Sequence, residues 1–533
     1  MTRYLLAAEA DKIQELIFRS ARLREVAGGS QLLTRFCEEV PPHLLPPNAE
    51  VIVSDGGSFR VLFHDEAEAR TFGERLAEVY RRATGGSLTV AEPTPYEGDF
   101  QVASQQAEEA LRRAKHWRQG EQAQEHLPYI ALCASCGVGL AVAYRAYHEE
   151  EEAQYLCASC LNKSAERADQ QALDGTSFLG RFYRTVVPSG EYDWPGREKR
   201  RGRREKDPLE DVADYDPRRY VAYLLADGNE MGKVFGACQT PDQMRTLSKE
   251  LPQVMRKALA EPTRAIMQNN PMQDRPGFIP VWPLILGGDD LFALIPAPWA
   301  LDFAHRFCKV YEQEMTDLFE NIGLTDVPRA TVSVAVVICK SKHPYALAHA
   351  TGEARLKEAK RIGKQRILKG QQPMSIINFE VVLGGRLVVP SDTRPIRPTL
   401  RPYWTDDPGQ GWGVSIQRLI EQRWDLRSIP TKRLAELRDL YDDLPASTWT
   451  DDLQPWQDRL ARLLARIGRD EAHHEAVIGA LTTLGDGKKP AYWCEVDRPP
   501  QGFWHGHGLP DLLEAWDFAF ALDKPLSVYE EER

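Results

Sequence analysis

A chain of 533 residues, 42% hydrophobic and 27% charged, has ordinary globular composition and room for three or four domains. No apolar run reaches the ~20 residues that a membrane span needs. The N-terminus, Met1-Thr2-Arg3-Tyr4-Leu5-Leu6-Ala7, enters a strand without a signal-peptide layout, so a cytoplasmic protein with no membrane partner is expected. The net charge of −11 argues against nucleic-acid binding by the whole surface. Two local stretches are basic: 197–206, which reads as a solvated linker, and 355–369.

The first hundred residues alternate in a recognisable order. Residues 3–9 read as a strand, followed by an amphipathic helix through Ile13, Leu16, Ile17 and Ala21. A Gly28-Gly29-Ser30 break opens a second helix through Leu32, Leu33 and Phe36. Val51-Ile52-Val53 and the run from Phe59 to Phe63 flank Ser54-Asp55-Gly56-Gly57-Ser58 as strand, turn and strand. A helix over about 66–83 and a strand over about 87–92 complete a β-α-β-β-α-β unit, the ferredoxin-like palm.

The same order returns after residue 211: strand 219–226, helix 240–260, hairpin 281–286 with 290–295, helix 299–320 and strand 330–338. A further helix (344–361) and strand (375–381) extend it. Tyr4-Leu5-Leu6-Ala7 is echoed by Tyr223-Leu224-Leu225-Ala226, which marks an internal repeat. The expected class is therefore α+β, in four parts: a first palm (1–100), a helical and cysteine-bearing linker (101–210), a second palm (211–390) and a helical C-terminal domain (391–533). The linker has helices at 105–118 and near 162–174. The C-terminal domain has helices near 413–425, 430–442, 452–468, 470–484 and 509–522, and its tryptophans read as core or interface. His473-His474 and His505-Gly506-His507 lack a third ligand nearby and read as surface or interface residues.

Cys133-Ala-Ser-Cys136 and Cys157-Ala-Ser-Cys160 are two CxxC knuckles about twenty residues apart, the spacing of a tetrahedral thiolate zinc site. Four thiolates leave no open coordination position, so the expected Zn²⁺ is structural.

Chemistry concentrates at Gly287-Gly288-Asp289-Asp290, where a tight reversal precedes two consecutive carboxylates at the start of a strand. After the shared tetrapeptide the first palm has Ala8 and the second Asp227; after the paired glycines the first has Ser58-Phe59 and the second Asp289-Asp290. The acids are thus confined to the second copy. In a ferredoxin-like sheet the first and third strands are neighbours, which brings Asp227 beside Asp289 and Asp290. Three such carboxylates suit two Mg²⁺ or Mn²⁺ ions for nucleotidyl transfer. Gly228, Gly232 and the following helix start could cradle triphosphate oxygens through backbone N–H groups. Lys357, Lys360, Arg361 and Lys364 fall at helical spacings of three and four, so they share a face able to clamp phosphates.

Asp227-Gly-Asn-Glu-Met-Gly232, Gly287-Gly-Asp-Asp290, the Ser333-Val-Ala-Val336 strand and Ala359-Lys360 resemble the polymerase/cyclase palm of the large subunit of type III CRISPR effector complexes. Ile13-Gln14-Glu15-Leu16-Ile17, Ala21-Arg22 and Gly29-Ser30-Gln-Leu-Leu33 are similar to that family's N-terminal signature. The resemblance implies target-RNA-activated joining of ATP into cyclic oligoadenylate messengers for antiviral defence, within a complex of guide RNA, target RNA and other effector subunits. It also implies Asp227, Asp289 and Asp290 as metal positions, Lys360 as a phosphate contact, and nucleotide binding by Gly287, Gly288, Ser333 and their neighbours. Two departures stand out. Asn229 occupies a position where the family commonly carries a carboxylate, its amide oxygen remaining a candidate ligand. The first palm also starts at residue 4, so no HD nuclease domain and no DNA cleavage are expected. A GGDEF-like cyclic-dinucleotide synthase and a non-catalytic scaffold for guide RNA remain the alternatives.

Overall fold

The computed structural model describes residues 2–20, 22–118, 129, 131–146, 152–166, 177–197, 207–272, 274–325, 327–382, 396–444, 453–485, 492–497 and 502–526. Most of the basic stretch 197–206 and the end of the helix expected near 162–174 lie outside them.

The first palm contains β1 (Arg3–Ala10), α1 (Ile13–Phe18), α2 (Leu23–Leu44), β2 (Glu50–Asp55), β3 (Ser58–Phe63), α3 (Glu66–Thr84), β4 (Leu88–Val90) and β5 (Thr94–Tyr96). Its sheet has the order β2-β3-β1-β4, with β5 also on β1, as a ferredoxin-like unit requires. Gly28-Gly29 does not break a helix; both lie inside α2 and are buried. Their role is close approach. A Cβ on Gly28 would run into the backbone carbonyl of Lys163, and one on Gly29 would lie 3.5 Å from the Lys163 side chain. Gly28→Ala should therefore undock the segment carrying Lys163 from α2, seen as a melting temperature several degrees lower.

That segment belongs to the cysteine unit. After α4 (Phe100–Arg118), the knuckles frame β6 (Ala143–Arg145), β7 (Gln154–Leu156) and α5 (Ala158–Ala165). Asn162 Nδ2 donates to the Ala83 carbonyl (2.8 Å), Ser159 Oγ to that of Thr84 (2.6 Å), and Arg35 pairs with Glu166 (2.7 Å), binding the unit to α2 and α3. Next come α6 (Phe178–Val186) and α7 (Pro208–Ala213).

The second palm contains β8 (Tyr220–Gly228), α8 (Met231–Gly236), α9 (Pro241–Asn269), β9 (Trp282–Gly287), β10 (Asp290–Pro296), α10 (Ala300–Ile322), β11 (Val332–Lys340), α11 (Tyr345–Leu368) and β12 (Ile376–Val381). Chain beyond 391 adds β13 (Ile396–Arg397) and β14 (Tyr403–Trp404), the latter on the edge of the same sheet, whose order is β14-β12-β11-β8-β10-β9. β8 is central and buried from Tyr220 to Ala226, so it reads as a continuous apolar run. α9 starts with a Thr240/Gln243 capping box and runs past the expected end at 260, through Pro262. Packing of Leu259, Thr263 and Ile266 outweighs the lost proline hydrogen bond.

The C-terminal part holds α12 (Ile416–Asp425), α13 (Thr431–Asp442), α14 (Gln454–Ile467), α15 (Glu471–Thr483), β15 (Cys494–Asp497), β16 (Phe503–Gly506) and α16 (Gly508–Glu514). The small β13-β16-β15 sheet was not anticipated, and α16 ends well before 522. Trp456, Trp493, Tyr441 and His507 form an aromatic core. His507, expected at the surface, is fully buried: its Nδ1 accepts the Leu509 N–H that starts α16. Among the described residues no helix is long and apolar enough to cross a membrane.

Candidate active site

Strand register assembles the acids. Asp290 lies opposite Asp227 across β10 and β8, and Ser333 on β11 lies opposite Asp227 from the other side. Cross-strand partners share a face, so the carboxylates of Asp227 and Asp290 rise from one side of the sheet. Gly287 and Asp290 close the hairpin, leaving Gly288-Asp289 as its two-residue loop. Gly288 has φ +57 while Asp289 does not enter the positive-φ region, the sign pattern of a type II′ turn. Asp289 therefore occupies a loop position, and only Asp290 begins the strand.

The first palm's hairpin is offset by one residue. There the loop is Gly56-Gly57, both with positive φ, closed by Asp55 and Ser58. Aligned by the shared Tyr-Leu-Leu-Ala, Ala8 opposite Phe59 takes the place of Asp227 opposite Asp290; aligned by the hairpin's closing pair, Glu9 opposite Ser58 does, and in either alignment this copy lacks the acid pair.

Burial first, and then the neighbouring carboxylates, pushes both Asp289 and Asp290 above the ordinary carboxylate range. Lys360 on α11 reaches across and pairs with Asp227. Lys357 and Lys364 are exposed and bond no site carboxylate, so one of the three lysines meets the acids. Arg366, in the same basic stretch, is buried over Trp404 and Trp412. Asn229 is already engaged: its Nδ2 donates to Thr331 Oγ1 (3.0 Å), and its Oδ1 accepts from the buried Ser333 Oγ (2.7 Å). Ser333 thus orients Asn229.

Gly228 ends β8 where no side chain fits: a Cβ would stand 2.7 Å from Met231 Cγ, 3.0 Å from Tyr311 Oη and 3.1 Å from Asp289 Cβ. Gly228→Ala should cost about 1–3 kcal/mol by overpacking and displace Asp289, measured as a lower melting temperature together with weaker divalent-ion binding. Gly232, in the first turn of the six-residue α8, faces open space.

Sequence reasoning missed the cleft between the palms. It encloses about 70 Å³, or about 700 Å³ with its open mouth. One wall comes from the first palm, including Gln14, Phe18, Thr34 and Asp55, and the other from Gly287, Asp290, His349 and Glu353. Phe18 stacks on His349 (centroids 3.5 Å) and meets Phe292 edge-on (5.1 Å). Burial holds His349 down at about 4, so its imidazole is neutral near pH 7. Glu353 was legible in principle, lying two helical turns before Lys360 on the same face of α11; burial raises its carboxyl.

Among the described residues, only Cys133, Cys136, Cys157 and Cys160 bring metal-ligating atoms within 4.8 Å of one another. Gly139 N–H to Cys136 Sγ (3.3 Å) and Cys160 N–H to Cys157 Sγ (3.5 Å) are the backbone donors expected around thiolates. That donor set fits a tetrahedral Zn²⁺. The aspartates are hard oxygen donors, and burial together with neighbouring carboxylates raises Asp289 and Asp290, a setting that fits divalent ions. They are not drawn together as the cysteines are, and Lys360 must release Asp227 for them to close on a cation.

Residues 220–368 match the family model described as Cas10/Cmr2, second palm domain. No curated protein matches the chain by sequence. Solved structures share its fold. A Csm1–Csm4 cassette in complex with cA4 aligns at TM-score 0.52 and 15% identity, over 97% of this chain and 69% of that one. Csm1 from T. onnurineus aligns at 0.52 and 14%, over 98% and 70%. A Csm1–Csm4 cassette with pppApApA aligns at 0.51 and 15%, over 97% and 69%. Residues 220–368 are thus a second palm domain of the Cas10/Cmr2 family, carried in a chain with the fold of a Cas10-like large subunit.

Proposed function

We propose that the chain is the large subunit of a type III CRISPR effector and joins ATP 3′ to 5′ into cyclic oligoadenylates when its complex binds target RNA. The observation carrying this reading is the pairing of Asp290 with Asp227, with Asp289 in the adjoining turn, inside a Cas10/Cmr2 second palm. Structural relatives of the same fold have been solved with cA4 and with pppApApA.

Divalent ions held by Asp227, Asp289 and Asp290 would supply hydroxyl activation and charge neutralisation. The chain's own contribution is placement. Lys360, released from Asp227, offers its ammonium to the triphosphate. The cleft's apolar wall, with Phe18 and neutral His349, gives a base a surface to stack on and keeps water off the reacting hydroxyl. Lys360→Met is expected to raise KM for ATP about tenfold or more, measured by initial rates, because a cation is lost from the phosphate path. Zn²⁺ in the cysteine unit has a structural role, and Csm4-like subunits, guide RNA and target RNA are the proposed partners, in the cytoplasm.

The test is to incubate the purified complex with Mg²⁺ and labelled ATP or GTP, with matching or non-matching RNA, and resolve the products. Adenylate rings that depend on matching RNA support the proposal. RNA-independent products from GTP would point to a cyclic-dinucleotide synthase. No product, with Asp289→Ala/Asp290→Ala indistinguishable from wild type, would leave a scaffold.

A further inference from the structure

Between 345 and 369 lie seven lysines and arginines and two acids, in a chain whose net charge is −11. Four of these cations are occupied. Arg355 pairs with Glu358 (2.8 Å), Arg366 is buried over Trp404, Lys369 pairs with Asp497, and Lys360 with Asp227. Lys357 and Lys364 are exposed and have no acidic partner among the described residues.

These two flank Lys360. On an α-helix, positions 357, 360 and 364 fall within about 60° of one another around the axis, with rises of about 4.5 Å and about 6 Å between them. Lys357 is on the cleft side, because His349, Glu353 and Leu356, on the turns before it, line the cleft. Lys364 is on the side away from it. Lys360 meets Asp227, so the middle of the row marks the reacting centre.

In nucleotidyl transfer the acceptor's 3′-oxygen bonds to the α-phosphorus of ATP. The bond from that phosphorus to its bridging oxygen breaks, pyrophosphate leaves with the electron pair, and the hydroxyl proton passes to water. Entering and leaving oxygens stand in line, so phosphates lie on both sides of the centre. One side holds the pyrophosphate, the other the phosphate on the acceptor's 5′ side. A single triphosphate runs to one side only and leaves one outer lysine unused. The stacking surface of Phe18 and His349 is in the cleft, which puts the acceptor nucleoside on the Lys357 side.

We propose that Lys357 holds the internucleotide phosphate of the growing oligoadenylate, opposite Lys364 on the pyrophosphate side. This rests on the nucleotidyl-transfer reading of the site. Two ligands that share one reacting centre then depend on different lysines: the linear oligoadenylate on Lys357, the ATP donor on Lys364.

The test titrates two probes into the full chain with Mg²⁺: linear ApApA without a 5′-triphosphate, and a non-hydrolysable ATP analogue. Lys357→Met is expected to weaken the trinucleotide about tenfold and the ATP analogue by less than about twofold. Lys357→Arg is expected to restore most of the loss, and Lys364→Met to show the reverse pattern. With ATP and matching RNA, the Lys357→Met complex should accumulate shorter linear products. Unchanged trinucleotide affinity in Lys357→Met overturns the proposal, as does a wild type that does not bind the trinucleotide. Equal loss for both probes also overturns it, since Lys357 is then a triphosphate contact. Neither titration needs turnover. A wild-type complex that makes no product from ATP would therefore count against the proposed function, while the role of Lys357 would still be decided.

Discussion

Asp290→Asn is expected to abolish nucleotide joining, by about 10³-fold or more, and at the same time to stabilise the metal-free protein. The loss follows from its position opposite Asp227, where a neutral amide oxygen can ligate but does not supply the negative charge that two divalent ions need. The gain follows from linkage. Asp289 and Asp290 are pushed from 3.8 up to about 6 and about 8 by burial and by the neighbouring carboxylates, Asp227 among them. Between pH 4 and 8 the native state therefore holds protons that the unfolded chain has released, and this pair's contribution to stability falls as pH rises through that window. D290N removes much of that penalty, so its advantage over wild type should grow from pH 5 to pH 8 and reach on the order of 2 kcal/mol. Thermal melts in chelator at the two pH values check this; a D290N protein less stable than wild type at pH 8 would mean that the acids support the metal-free fold. Because cation binding must displace those protons, divalent affinity should rise over the same interval.

The second large effect is expected far from the acids. Cys160→Ser should remove the metal and cost several kcal/mol, because the unit has only a small core of its own, built from the cysteines and Leu156. The damage should also reach the cleft. Lys163, one turn after Cys160 in α5, is buried, and its ammonium bonds the Leu16 carbonyl and Ser20 Oγ (3.3 Å). Tyr345, at the start of α11, donates to the Ser20 carbonyl. Between those anchors Phe18 stacks on His349 in the cleft wall. Metal analysis should find about one zinc per wild-type chain and none in C160S, with a lower melting temperature and weaker ATP binding. Zinc-free wild-type protein with an unchanged melt would show that the cysteines are not a metal site.

Local patterns made much of this architecture legible. Alternating apolar runs and the Gly-Gly turns located both palms, because a strand with one or both faces buried must show its period in the residues themselves. The repeated Tyr-Leu-Leu-Ala strand exposed Asp227 as the partner of Asp290, since register follows once the sheet order is known. The CxxC pairs identified their own cluster, because four thiolates at that spacing have few other uses.

What failed was whatever depends on a distant neighbour. Gly28-Gly29 looked like a helix break because glycine has low helix propensity. Only the packed Lys163 segment explains why a helix keeps them. His507 read as a surface or interface residue, but the aromatic core of the C-terminal domain buries it. The lysine face of α11 sorted itself by geometry, with Lys360 against Asp227 and Lys357 and Lys364 in solvent.

By itself, the sequence determined two palms, one acid-bearing hairpin and one four-cysteine cluster, because spacing and hydrophobic period are properties of the chain alone. Only the tertiary structure decided that the palm lacking the acid pair faces the one that carries it and that Gly56 meets Gly288. Those contacts join residues more than two hundred positions apart, and no local pattern encodes which surfaces will meet.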